Sequence, residues 1–216
     1  MKPIHSLSGA ILGLLISSGT AHAEVANFSF DATVTSTDGS LYGVNVGTSF
    51  SGSFSYDSDA TATNSDPYIN FSVGSWLNYL GQVGQISANI GGHVISAGTL
   101  DAHLFLLPSS SYYLELLATP LAVDGTLYPS GGFGLGFATN LTKPLPSGLP
   151  TYFDIAMFDG GAIGYLDVNT TTVGEFRSVL FTINSVKAVP EPSTYAMLLA
   201  GMCALGLAIN RRKSAP

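Results

Sequence analysis

The sequence predicts an all-β chain: a single antiparallel β-sandwich or jelly-roll domain over residues 24–188. An N-terminal signal peptide (1–23) precedes it and a C-terminal transmembrane helix (about 194–210) follows. Three observations carry this expectation. Apolar side chains recur at every second position in one segment after another, the period of a strand with one buried face. Turn dipeptides, Asp38-Gly39, Gly91-Gly92, Asp124-Gly125 and Asp159-Gly160, interrupt the chain at short intervals. Finally, no window between 24 and 188 carries a helical repeat of useful length.

In chain order, Lys2 gives a positive start and Ile11-Leu-Gly-Leu-Leu-Ile16 a short apolar region. Ala21-His22-Ala23 then supplies the small-x-small pattern of a signal-peptidase site, with Glu24 first after the cut. Phe28, Phe30, Ala32 and Val34 alternate, as do Phe50, Phe54 and Tyr56 with serines between them, and Ile69, Phe71 and Val73. Further strands are expected at His103–Leu107, Tyr112–Ala118, Tyr152–Phe158, Ala162–Val168 and Phe176–Val186. Phe133, Leu135 and Phe137 alternate with glycines, which suits a bulge or a close backbone approach. About nine or ten short strands result, with Lys143-Pro-Leu-Pro-Ser-Gly-Leu-Pro150 as a proline-rich loop.

The tail reads differently. Pro190 and Pro192 fix their own φ and force Val189 and Glu191 into extended geometry, so no helix runs through them. Ser193 and Thr194 suit a helix N-cap. Tyr195–Ile209 then carries no charge, and Arg211, Arg212 and Lys213 follow, a basic cluster that stays on the cytoplasmic side. This apolar run is short against the ~20 residues of a comfortable span, which suits a temporary tether.

The chain has a formal net charge of −7. All but one of its 14 acidic residues fall between Glu24 and Ala188, where the only basic ones are Lys143, Arg177 and Lys187. That region therefore carries about −10, which argues against nucleic acid or anionic lipid as partner, since both select cationic surfaces. Cys203, the single cysteine, lies in the tail. A disulfide, a cysteine zinc site and a cysteine nucleophile are thus excluded from residues 24–188.

Asp57, Asp59 and Asp66 mark the densest run of oxygen ligands, and a calcium site there is one expectation. The spacing begins like an EF-hand but departs from it at Ala62 and Tyr68, and a solvated loop is the alternative. His93 and His103 have no Gly-x-Ser-x-Gly elbow to serve, although Asp101 and His103 share a strand face. Glu115 and Glu175 are the only carboxylates to weigh as a glycosidase pair. These residues read as ordinary strand and loop positions, so neither catalysis nor an obligatory cofactor is expected. Trp76, Tyr79, Tyr112, Tyr113, Tyr128 and Tyr152 would stack on sugar rings if they shared an exposed face, and otherwise fill the core.

Val189-Pro-Glu-Pro-Ser-Thr-Tyr-Ala, the Leu-rich run and Arg211-Arg-Lys213 together resemble the PEP-CTERM sorting signal of Gram-negative bacteria. The same kind of segment is also labelled an ice-binding protein C-terminal domain, a name that need not describe activity. The resemblance covers Val189–Lys213 only. It implies export, transient anchoring in the inner membrane, and recognition by an exosortase, a membrane-embedded cysteine transpeptidase-like enzyme that cuts at or near Pro190-Glu191-Pro192. It also implies delivery to the cell surface or the extracellular matrix, with exopolysaccharide or biofilm as the setting. A carbohydrate-binding module is the alternative function, and a secreted hydrolase a further one.

Overall fold

A computed structural model describes residues 25–38, 43–62, 75–82, 84–106, 111–140, 149–153, 155–158, 161–169, 176–190 and 199–203. Twelve strands run through them. These are β1 (Val25–Thr37), β2 (Ser49–Asp57), β3 (Ser75–Gln82), β4 (Gln85–Ile90), β5 (His93–Ala97) and β6 (Leu100–Leu106). There follow β7 (Ser111–Ala118), β8 (Leu121–Val123), β9 (Thr126–Tyr128), β10 (Gly132–Asn140), β11 (Gly161–Asn169) and β12 (Phe176–Ala188). The all-β, antiparallel expectation is met.

The expected pair of sheets is not. All twelve strands join one sheet, in the order β3-β6-β7-β10-β11-β12-β1-β2-β4-β5-β8-β9. In that order β2 and β10 stand four places apart, a separation of about 19 Å in a flat sheet. Yet the rings of Phe54 on β2 and Phe137 on β10 lie 6.3 Å apart, and those of Phe30 and Phe133 lie 6.4 Å apart. The sheet therefore curls and closes its inner face upon itself, burying it as two layers would. Register shifts at Asp31/Ala32 and Val34/Ser36, where β1 pairs with β12, supply bends of the kind that let a long strand turn without leaving the ladder.

The inner face is aromatic. Phe28, Phe30, Phe54, Phe133, Phe137 and Phe181 are almost fully buried, each placed there by the period-two alternation of its strand. Phe181 links the two sides, with ring centroids 5.0 Å from Phe50 and 5.7 Å from Phe133.

The segment Tyr152–Phe158, expected to be a strand, instead forms a plug with a 3₁₀ turn at Ile155–Met157. From Ile155 to Phe158 every position is apolar instead of every second one, so no single sheet face suits them. Phe153 and Phe158 enter the core, 4.9 and 5.1 Å from the Phe137 ring. Tyr56 donates its hydroxyl hydrogen to the Pro150 carbonyl and ties the plug to β2.

Two of the turn dipeptides are as read. Gly91 and Gly92 both have positive φ, and so do Asp124 (49°) and Gly125 (80°), the mirror-image turn that matches hairpin twist. Gly39, the Asp159-Gly160 turn and the Ile69–Val73 strand lie outside the described residues, as does the signal peptide. Residues 199–203 are helical and exposed. The rest of the expected 194–210 span lies outside the described residues, and among those described no helix is long and apolar enough to cross a membrane.

Candidate functional site

Two regions position side chains for function: the exit of the tail and the outer face of the sheet. Strand β12 lies between β11 and β1 and pairs with β1 as far as Ala188 opposite Phe28. One more ladder bond follows, from the Val189 N–H to the Asn27 carbonyl at 2.8 Å. Pro190 has no N–H to continue the ladder. Val189 and Pro190 line a groove of about 360 Å³ with Asn27, Ser53, Ser55, Gln85 and Ser87. The chain thus passes from the central ladder into the tail with no linker between them. Strand β1 begins at the same end of the sheet, so Val25 and Pro190 lie at one end of the central ladder.

Residues 188–213 match the family model of the PEP-CTERM protein-sorting motif. The chain carries a PEP-CTERM sorting motif. No curated protein and no solved structure matches the chain. The motif marks an exported protein that is targeted to an exosortase and sorted through the membrane toward the cell surface. Of its residues, Val189 and Pro190 are placed as above. Glu191, Pro192, Arg211, Arg212 and Lys213 lie outside the described residues, as do Ala21 and Ala23 of the expected signal-peptide cut.

The outer face divides into two halves. Over β1, β2 and β4 it is a lawn of small polar groups, with Ser53 and Ser87 in hydroxyl contact at 3.0 Å and Ser185 donating to Asp31 at 2.8 Å. Over β6, β7, β10 and β11 it is aromatic and acidic, with Ile163 exposed opposite Gly136. Here the outward positions of β10 are Gly132, Gly134 and Gly136, buried although they face away from the core. Tyrosines cover two of them. A Cβ on Gly134 would stand 2.9 Å from the Tyr165 hydroxyl oxygen, within the footprint of its ring. One on Gly136 would stand 2.8 Å from Tyr113 Cζ. Tyr165 comes from β11 directly opposite Gly134, while Tyr113 leans in from β7, so the two rings reach the glycine stripe from opposite sides.

Glu115 sits opposite Gly136 on one side and His103 on the other. Asp167 sits opposite Gly132. Phe105 packs 5.6 Å from Tyr113, and the His103 ring 6.2 Å from Phe105. His103 Nδ1 lies 2.9 Å from Oδ1 of Asn78, itself buried on β3. Burial, then the Glu115 charge, raises the Tyr113 phenol. Burial, followed by Glu115, Asp167 and Tyr113, pushes Tyr165 up to about 12. Burial also raises the Asp167 carboxyl. Both phenols are therefore protonated donors at neutral pH.

The remaining sequence candidates scatter. Asp57 Oδ1 accepts the Asp59 N–H at 2.9 Å, a local turn; Asp66 lies outside the described residues, and among those described no three acidic, His or Cys side chains group as metal ligands. His93 pairs with Asp124 at 2.6 Å on hairpin tips, away from the partners of His103. Glu175 and the side chains of Trp76 and Tyr112 lie outside the described residues. Tyr79 is a core residue, and Tyr152 is 63% exposed. Tyr128 packs against the core margin, and among those with described side chains only Tyr113 joins the aromatic half of the outer face. Sequence reasoning missed Tyr165, Asp167 and Phe105. The alternating glycines of β10 were the available signal, since they marked a close approach without saying what approached.

Proposed function

We propose that this chain is an exosortase-processed protein of the cell surface or extracellular matrix, structural or adhesive in role, non-enzymatic, and associated with exopolysaccharide. The observation that carries this reading is the direct fusion of the sorting motif to the central strand of a folded acidic β-domain. After processing, such a domain is delivered as a unit with only a short stub of tail. Replacing Pro190, Glu191 and Pro192 by alanine in the producing cell is expected to leave the full-length protein in the membrane fraction, read by immunoblot. Unchanged processing would overturn the reading.

The aromatic, acidic half of the outer face favours carbohydrate binding as the second reading. Calcium assistance through Asp57, Asp59 and Asp66 belongs to that reading. It predicts that a chelator weakens retention on polysaccharide; retention indifferent to chelator removes calcium from the account.

A further inference from the structure

We infer that the outer face of β6, β7, β10 and β11 is a binding platform for an uncharged polysaccharide, centred on Tyr113 and Tyr165 where they lie over Gly134 and Gly136 and flanked by Glu115 and Asp167. This deepens the exopolysaccharide association proposed above and rests on it for the setting.

A solvent-facing sheet surface in an exported protein has little need of aromatic rings, and the β1, β2 and β4 half of this molecule has polar groups instead. On the β10 half, glycine leaves room for the tyrosines, so the Tyr165 ring and the hydroxyl end of Tyr113 occupy the space that a Cβ would take at Gly134 and Gly136. Tyrosines seated there bring apolar rings and phenol hydroxyls to one sheet surface. Phe105 adds a third ring beside Tyr113, tilted 53° to it. Sugars offer the matching chemistry: C–H faces that settle on aromatic planes, and hydroxyls that donate to carboxylates and accept from phenols. The four strands span about 14 Å from β6 to β11, an open track for several linked rings and not a cavity for one.

Charge selects among glycans. These four strands contain no Lys or Arg, while Asp101, Glu115 and Asp167 all lie on the outer positions. A uronate, sulfated or phosphorylated chain would meet like charge there, which is costly at close range. A protein partner fits poorly, because the core of a protein interface is depleted of charged residues and here carboxylates flank the centre.

The test is affinity electrophoresis of the full chain, in a polyoxyethylene detergent, through native gels containing galactomannan, dextran, mixed-linkage β-glucan or alginate. Retardation by at least one neutral polysaccharide is expected, with none by alginate. Tyr113→Phe/Tyr165→Phe keeps both rings and removes only the hydroxyls. Glu115→Gln removes only charge. Each is expected to weaken retardation about tenfold or less, in keeping with lost hydrogen bonds, with an unchanged melting temperature. Retardation by none of the neutral polysaccharides, retardation by alginate equal to that by the neutral chains, or full binding by both variants would overturn the proposal. Such a failure alongside normal processing of the Pro190–Pro192 motif would leave the surface-protein reading standing, so the two fail separately.

Discussion

At residue scale, Asp124 joins two hairpin tips with one side chain. Its φ of 49° puts it in the left-handed region. There Oδ1 accepts the Val94 N–H at 2.8 Å and Oδ2 lies 2.6 Å from His93 Nδ1. The His93 hydrogen bond, then that of Val94, holds this carboxyl below its ordinary value of 3.8. A depressed carboxyl stabilises the fold above its unfolded pKa and loses that contribution as pH falls through the folded value. Asp124→Asn keeps the backbone conformation, since Asn tolerates positive φ. The wild type is therefore expected to melt above the variant at neutral pH, and the two melting temperatures to converge below pH 3.8; a constant gap across the titration would reject the linkage. Gly134 gives a second prediction at this scale. Gly134→Ala must displace the Tyr165 ring and is expected to cost about 1–3 kcal/mol, an overpacking penalty. Gly98→Ala, with open space at the Cβ position, is expected to stay within about 0.5 kcal/mol. Denaturant midpoints compare the two.

At element scale, the strands legible in the sequence are those whose inward positions hold large side chains. Phe28 to Val34, Phe50 to Tyr56 and Phe133 to Phe137 announce a face, and the structure buries those residues. Strands β4 and β5 use Ile and Ala inward, with Ser, Asn and Val outward, a contrast too weak to stand out from the serine-rich background. Strands β8 and β9 are three residues each, shorter than any period can register. The plug is the reverse case, an apolar run that looks like a strand because its side chains are large. Its contribution comes from insertion. Phe153 contacts Phe28, Phe54 and Phe137 at centroid distances of 4.9, 5.6 and 4.9 Å. Phe153→Ala is expected to cost about 3–5 kcal/mol, as for other buried phenylalanines. Tyr152→Ala, at its exposed neighbour, should change stability by less than about 0.5 kcal/mol. Equal effects in chemical denaturation would mean that the plug is surface decoration.

At the scale of the whole molecule, alternation tells which face of a strand is buried but not which strand lies beside it. That is why one curled sheet and two stacked sheets predict the same sequence pattern. The order that decides between them joins strands distant in sequence, β3 with β6, β7 with β10 and β1 with β12, and only coordinates give those pairings. The outer-face platform is illegible for the same reason. Tyr113 and Tyr165 are 52 positions apart in the sequence, and they share a site only because β10 separates β7 from β11. Continuity of the sheet has an energetic consequence that two independent layers would not share. Phe181 on β12, near the middle of the order, touches Phe50 on β2 and Phe133 on β10. Neither arm of the curl can open without stripping its inner face from the other. Unfolding is therefore expected to be a single cooperative transition, with near-ultraviolet and far-ultraviolet circular dichroism melting together. Phe181→Ala should shift both signals down in step, by about 3–5 kcal/mol. If the variant separates the two curves, the arms fold as independent units and the continuous core is not what couples them.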